Sequence, residues 1–430
     1  MQDRRFNIIC YGCQMNEYDA AAIADMLERR GWTQTTEESA DLHIVVTCAV
    51  REHAEKRALG RLFTVANTYP DSLTGIVGCV AQERGREILD SHPEIDFAVG
   101  PGEIDRIPDI VAAGGSREPL LNVDRLTGKG LRSRTEEGAL KGFVAISRGC
   151  ENFCSYCIVP YVRGKLRGRP MPDIISECGE MASRGIREIT LLGQNVNSYS
   201  DPETGADFAD LLREVSSIEN LLRIRFVTNH PKDMSDPIIE AVAEIPEVCE
   251  PLHLPVQSGS RKILKAMNRG YTREDYLDLV SRIRARIPGA AISSDIIVGF
   301  PSETEADFRR TVDLFNRCDF SAAFAFKYSP RPGTAAAKLP DDVPEELKIK
   351  RLTEIIDLSQ EKAGNFSRSL VGKTRQVLVE GESRKNPGKL FGFDRAGRRA
   401  IFPGDSGLRG TLQNVIIESA DRWLLKGNIS

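Results

Sequence analysis

Cys150, Cys154 and Cys157 follow the order Cys-x3-Cys-x2-Cys, three thiols within eight residues. Thiolates are ligands for soft metals and iron–sulfur clusters. Three of them cannot close a tetrahedral zinc site without a fourth ligand, and no neighbouring His or Cys supplies one. They can hold three irons of a 4Fe–4S cluster and leave the fourth open to a substrate. A zinc knuckle short of one ligand is the plainer alternative. A second trio is dispersed. Cys13, Cys48 and Cys79, 35 and 31 residues apart, each stand just beyond a short apolar run. If those runs are neighbouring strands, the three thiols converge into a shared metal site; otherwise they are ordinary buried cysteines. Cys10, Cys178, Cys249 and Cys318 have no partner at ligand spacing and are expected in cores.

The runs that would position the dispersed trio are Phe6–Cys10, Leu42–Val46 and Leu73–Val77. Helical spacing over Ala20–Arg30 and Ala54–Ala66 separates them, which predicts parallel βαβ units with ligands at the carboxyl ends of the strands. The clustered trio follows Phe143–Ile146 and a Gly149 that allows a tight turn. Five more strand-like runs come after it: Glu188–Leu192, Leu222–Val227, Pro251–Val256, Ile292–Val298 and Ala322–Tyr328. Each but the last is followed by a helical stretch. Six such repeats are too few for a closed eight-stranded barrel and suit an open partial one. After a long helical run, Glu345–Leu370, short β-rich runs at Gln376–Val379, Arg399–Phe402 and Thr411–Glu418 predict a small antiparallel β-barrel.

The chain is therefore expected to be a multidomain α/β protein. Its 430 residues fit about three domains, with polar junctions near Gly114–Gly142 and Leu370. Hydrophobic residues at 41% and charged ones at 28% exclude a disordered or fibrous chain. The net charge of −4 conceals a basic end: 11 Lys/Arg against 6 Asp/Glu from Leu370 onward. That asymmetry suggests a polyanion partner. The N-terminal stretch lacks a secretory pattern, and apolar runs fall far short of the ~20 residues that span a bilayer. The chain reads as cytoplasmic, where thiols stay reduced and clustered cysteines serve metals or catalysis.

The loops after the barrel runs are polar and Gly-rich: Gly193–Tyr199, Thr228–Pro231, Gln257–Ser260 and Gly299–Thr304. Together with the clustered trio they resemble the radical S-adenosylmethionine superfamily. That likeness implies that the open iron binds the cofactor's amino and carboxylate groups and that reductive cleavage yields a 5′-deoxyadenosyl radical. It also implies cofactor contacts from Gln194, Asn195, Asn197, Thr228, His230, Gln257, Ser258, Val298 and Gly299, although His230 reads equally as a satisfied loop histidine.

Four stretches narrow the match to the methylthiotransferase family: Tyr11-Gly12-Cys13-Gln14-Met15-Asn16-Glu17-Tyr18-Asp19, Arg148–Gly164, His253–Gly259 and Tyr328–Thr334. The resemblance implies a methylthiotransferase domain at 4–119, a radical core at 136–367 and an RNA-binding TRAM domain at 370–430. It implies that Cys13, Cys48 and Cys79 hold an auxiliary 4Fe–4S cluster supplying sulfur. Cys150, Cys154 and Cys157 would hold the cluster that cleaves the cofactor. The activity implied is addition of a methylthio group to C2 of N6-isopentenyladenosine at position 37 of tRNA. The family's alternatives are threonylcarbamoyladenosine in tRNA and an aspartate of a ribosomal protein, against which Gln14-Met15-Asn16 argues. A non-catalytic iron–sulfur RNA-binding protein is a further alternative.

Implied partners are a tRNA anticodon stem-loop, an electron donor and sulfur or iron–sulfur assembly proteins, with no membrane. Asn16 and Asp19 are candidate pocket residues, a helix-start role being the alternative. Arg384, Lys385, Arg395, Arg398 and Arg399, interleaved with Phe391 and Phe393, are the candidate RNA contacts. Two departures bear on the cofactor contacts: Lys165–Pro170 replaces a more acidic continuation, and Asn229 stands where Ser is usual.

Overall fold

The computed structural model describes residues 4–50, 52–123, 125, 131–133 and 135–430. The junction expected around Gly114–Gly142 lies partly outside them. The first body is a parallel sheet of β1 (Arg5–Cys10), β2 (Thr33–Gln34), β3 (Leu42–Thr47), β4 (Leu73–Gly78) and β5 (Phe97–Val99), in the order β2-β1-β3-β4-β5. Every residue of β3 is buried, as a central parallel strand covered on both faces requires. Ile44, Val46 and Phe97 pack into one core, and Val45, Ile76 and Ala98 into the other. Helices α1 (Gln14–Glu28), α2 (Glu52–Thr68), α3 (Cys79–Ser91) and α4 (Ile107–Ala112) follow the strands. Cys10 ends β1 exposed, not in the core as expected, because β1 is only partly covered, Phe6 alone of its residues being buried.

The second body carries six parallel strands, β6 (Lys141–Ala145), β9 (Glu188–Leu192), β10 (Arg223–Phe226), β11 (Pro251–His253), β12 (Ala291–Val298) and β13 (Ala322–Lys327). They form two parallel sheets, β6-β9-β10 and β11-β12-β13, joined by a bridge between Ile224 and Val248. A small ribbon of β7 (Ser147–Arg148) and β8 (Arg167–Gly168) flanks the cysteine loop. Helices α5 (Val159–Arg163), α6 (Met171–Ser183), α7 (Phe208–Ser216), α8 (Asp236–Glu244), α9 (Arg261–Ala266), α10 (Arg273–Arg286) and α11 (Glu305–Cys318) intervene, and α12 (Glu345–Arg368) packs on β13. Alternation along each strand sorts its two faces. Ile189, Leu191, Ile224, Phe226, Ile292 and Ile296 pack into the core beneath the helices, with Cys178 and Cys318 among them. Glu188, Arg223, Arg225, His253 and Asp295 fall on the opposite, concave face.

The third body is a closed barrel of β14 (Thr374–Glu382), β15 (Lys389–Asp394), β16 (Arg399–Pro403), β17 (Leu412–Ala420) and β18 (Leu424–Ile429), in the order β14-β15-β16-β18-β17. It is not wholly antiparallel. β18 runs parallel to β16 because β17 carries the chain across the barrel first. Phe391 and Phe393 lie on β15.

The two end domains close opposite mouths of the partial barrel. At the carboxyl ends of the strands, Met15 and Tyr18 of α1 pack on Ala145 and Leu192. At the amino ends, fully buried Arg223 donates to the Phe393 and Gln376 carbonyls, both at 2.7 Å, and Arg225 donates to the Arg395 and Asp394 carbonyls at 2.9 Å. Among the described residues no helix is long and apolar enough to cross a membrane.

Candidate active site

The dispersed trio is drawn together by a relay of side chains across three strand ends. Cys13 is the N-cap of α1, and its backbone N–H donates to Asn16 Oδ1 at 3.3 Å. Asn16 Nδ2 donates to the Thr47 carbonyl at 2.9 Å, just before Cys48. Thr47 Oγ1 donates in turn to the Val77 carbonyl at 2.8 Å, two residues before Cys79, the first residue of α3. Gly12 is required here. At its φ of +152° an added Cβ would lie 2.8 Å from Cys48 Cβ and 2.4 Å from Asn16 Oδ1. Asn16 and Asp19 are wholly buried, so they support the site from behind. Asn16 takes the helix-start role, and Asp19 pairs with Arg148 at 2.6 Å and Arg163 at 3.1 Å. Arg163 Nε also donates to Cys79 Sγ at 3.3 Å.

The contiguous trio lies on the loop between β7 and α5. Gly149, at φ +79°, brings the loop against Lys165 so tightly that a Cβ would meet its carbonyl oxygen at 2.0 Å. The Gly149 N–H donates to Gln194 Oε1 at 2.6 Å, and the Cys157 N–H to the Cys154 carbonyl at 2.9 Å. Arg269 Nη1 donates to Cys154 Sγ at 3.2 Å while Nη2 donates to the Pro255 carbonyl at 2.6 Å. His230 Nε2 lies 4.0 Å from the same sulfur. Because Lys232 N–H donates to His230 Nδ1, the ring proton sits on Nε2 and faces Cys154. Burial, then the Arg269 and Lys232 charges, lower the His230 pKa to about 2, so the imidazole is neutral.

Among the described residues no three His, Cys, Asp or Glu side chains come close enough to share one metal ion. Cysteine thiolates are the donors that hold iron–sulfur clusters, so each trio presents the donor chemistry such a cluster needs. Burial pushes the Cys79, Cys150 and Cys157 thiols up, Cys157 to about 12. Thiolates there need compensating positive charge, which iron provides. Among the described residues, Arg163 Nη1 and Gln257 Oε1 are buried without a hydrogen-bond partner.

Beside the contiguous trio opens a cavity of about 480 Å³, of whose edge Cys157 forms part. Val50, Glu52 and His53 line it from the N-terminal domain, Tyr156, Cys157 and Ile158 from the cysteine loop, and Gln257, Asp295, Ile297, Phe326 and Tyr328 from the barrel. Asp295 pairs with His253 at 3.4 Å, and His253 Nδ1 lies 3.0 Å from Ser293 Oγ.

The expected cofactor contacts divide. Gln194, His230 and Gln257 reach the cysteine loop or the cavity, and Thr228 is exposed at the end of β10. Thr228 and Gln257 both hold φ of 70°, strained backbone gathered at strand ends. Asn195 and Asn197 instead clamp two strand ends, both accepting from His230 N–H at 3.0 Å. The Ser258 and Val298 side chains turn away from the cavity. Ser258 is fully buried with Thr311 of α11 3.3 Å away, and Val298 faces the core by strand alternation. Gly299 is buried against Lys348, and its N–H donates to Glu303 at 2.7 Å.

The RNA candidates divide too. Arg384 and Lys385 are exposed on the β14–β15 turn. Arg399 stacks on Phe391 at 4.6 Å and lines a groove of about 520 Å³ with Lys385 and Trp423, an exposed aromatic missed in the sequence. Arg395 and Arg398 instead bond across to the partial barrel. Arg395 binds Glu250 at 2.9 Å and the Val248 carbonyl at 2.6 Å, and Arg398, itself buried, donates to the Ser321 carbonyl at 2.6 Å. Sequence reasoning also missed Arg163 and Arg269, although Arg163 stands within the stretch Arg148–Gly164 quoted above.

Family comparisons match this organisation. The Radical SAM superfamily matches residues 144–315, the uncharacterized protein family UPF0004 residues 5–100, and the TRAM domain residues 368–429. Among solved structures, the radical S-adenosylmethionine methyltransferase TsrM of Kitasatospora setae superposes with a TM-score of 0.60 at 17% identity, covering 78% of this chain and 75% of that one. The cobalamin-dependent S-adenosylmethionine radical enzyme OxsB gives 0.51 at 12%, covering 83% and 56%. At these identities the likeness shows the fold alone. A tRNA-2-methylthio-N(6)-dimethylallyladenosine synthase of Moorella thermoacetica is 43% identical over 437 residues, covering 99% of this chain and 98% of that protein. Those of Carboxydothermus hydrogenoformans and Bacteroides fragilis are 42% and 43% identical, each across 99% of this chain and over 99% and 95% of their own lengths. The chain belongs to the family of tRNA-2-methylthio-N(6)-dimethylallyladenosine synthases within the radical SAM superfamily.

Proposed function

We propose that this protein replaces the C2 hydrogen of N6-isopentenyladenosine at position 37 of tRNA with a methylthio group, in the cytoplasm. The observation that supports this reading is the cavity lined by Cys157 of the contiguous trio and by Val50, Glu52 and His53 of the N-terminal domain, the segment that follows Cys48. Cys150, Cys154 and Cys157 would hold one 4Fe–4S cluster, and Cys13, Cys48 and Cys79 the other. When bound, the clusters and S-adenosylmethionine supply the electron, the hydrogen-abstracting agent and the sulfur for a carbon that offers side-chain bases no acidic proton.

The chain's own work is binding, orientation and exclusion of water. Arg269 and neutral His230 hold Cys154, while Gln194 fixes the turn before Cys150. Gln257, with its free Oε1, is the candidate cofactor contact in the cavity. Ile297, Ala325, Phe326 and Tyr328 offer an apolar wall suited to a branched five-carbon chain. The Asp295 carboxylate opposes a second carboxylate such as a threonylcarbamoyl group would bring. Lys327 and Arg331 do little to offset it, being paired with Glu345 and Glu55. Arg384, Lys385 and Arg399, with Trp423, are the proposed tRNA contacts. An electron donor and a sulfur-supplying assembly protein complete the partners.

Nucleoside mass spectrometry of tRNA from a strain lacking the gene tests the assignment. Loss of the methylthio nucleoside with accumulation of its isopentenyl precursor supports it; unchanged nucleosides overturn it.

A further inference from the structure

Arg163 belongs to one cysteine trio by sequence and to the other by contact. It closes α5, the helix that follows the cysteine loop, six residues after Cys157. Its guanidinium nevertheless crosses to the N-terminal domain, where Nε donates to Cys79 Sγ at 3.3 Å and Nη2 to Asp19 Oδ2 at 3.1 Å. The residue is 8% exposed, and its Nη1 is buried without a partner among the described residues. A buried cation with a donor on a ligand sulfur and another unused donor beside it is more than a packing contact. Asp19 balances one face of the charge, and Arg148 shares that carboxylate at 2.6 Å. Arg269, the counterpart at Cys154, is anchored within its own barrel at Pro255 and Tyr271 and makes no such crossing.

We propose that Arg163 is a positioning residue that raises the reduction potential of the Cys13–Cys48–Cys79 site and ties that site to the radical loop. Hydrogen bonds and positive charge at ligand sulfurs favour the more negative, reduced form of a cluster. Asp19 works against Arg163 by neutralising part of its charge, so the two residues act with opposite sign. This inference rests on the reading above that the dispersed trio holds an iron–sulfur cluster.

The test uses the full chain carrying Cys150→Ala, Cys154→Ala and Cys157→Ala, reconstituted anaerobically so that iron reports on the dispersed trio. Midpoint potentials are read by redox titration followed by electron paramagnetic resonance. Arg163→Gln is expected to lower the potential by at least about 59 mV, a tenfold change in a one-electron equilibrium. Arg163→Lys, which keeps the charge and loses the fork, is expected between it and the parent, and Asp19→Asn is expected above the parent. An unchanged potential in Arg163→Gln at equal iron content overturns the proposal. So does an Asp19→Asn shift of the same sign, the signature of a merely structural role. If Arg163→Gln fails to hold iron, the Arg163→Lys and Asp19→Asn pair decides by the same order of signs. A parent that binds no iron at all overturns the reading of the trio instead, and the two failures are thereby told apart.

Discussion

One cysteine trio is built by a single loop of eight residues, the other by three strand ends spread over 67 residues. The loop needs little beyond its own turn: a left-handed Gly149, one backbone bond from Cys157 to Cys154, and an arginine on one sulfur. The dispersed trio exists only while β1, β3 and β4 are in register and while Asn16 and Thr47 bond across them. Local geometry follows from sequence spacing, whereas convergent geometry is a property of tertiary structure and fails with it. The difference predicts that the two sites can be broken separately, and by different kinds of substitution.

The largest effect falls on chemistry. Cys154→Ala is expected to abolish both cofactor cleavage and methylthiolation, while Cys79→Ala abolishes methylthiolation and leaves cleavage to 5′-deoxyadenosine. Chromatography of the nucleoside products under reducing conditions reads both. Loss of cleavage in Cys79→Ala would mean that the sites are not separable.

Next comes the buried ion pair behind the dispersed trio. Asp19→Ala leaves Arg148 and Arg163 with unpaired charge in the interior, at a cost of about 3–5 kcal/mol, measurable by denaturant unfolding. A smaller loss is expected from Thr47→Val, about 1–3 kcal/mol, because the Thr47 hydroxyl is the link to the β4 end. This variant should reduce iron at the dispersed trio and spare the contiguous one. Equal loss at both would show that the relay is not specific to its site.

The smallest effect is on tRNA. Replacing Arg384 and Lys385 with alanine is expected to lower the salt-dependence slope of tRNA binding by about one for each phosphate no longer neutralised. Arg395→Ala and Arg398→Ala should instead lower the melting temperature and leave that slope unchanged, since those side chains hold the C-terminal barrel to the core.

The same contrast governs what could be read from the sequence. The contiguous trio and the apolar runs such as Leu42–Val46 are local signals, and the fold elements they announce are present. Helix α1 begins at Gln14, well before the apolar periodicity that predicts it, because Asn16 caps it at Cys13. The three-residue β5 is too short to show a pattern. Arg163 and Arg269 reach sulfurs 84 and 115 residues away, and nothing in their immediate sequence shows the partner. Ser258 and Val298 stand close to strand ends in the sequence, yet both side chains are buried away from the cavity. Arg395 and Arg398 show that a basic stretch can serve a domain interface as readily as a nucleic acid.

The most direct test of two separate cluster sites is iron counting on the reconstituted full chain, with the two triple cysteine-to-alanine variants alongside it. About eight irons are expected in the parent and about four in each variant, with distinct electron paramagnetic resonance signals. About four irons in the parent, or the loss of all iron on removing either trio, would contradict the presence of two independent sites.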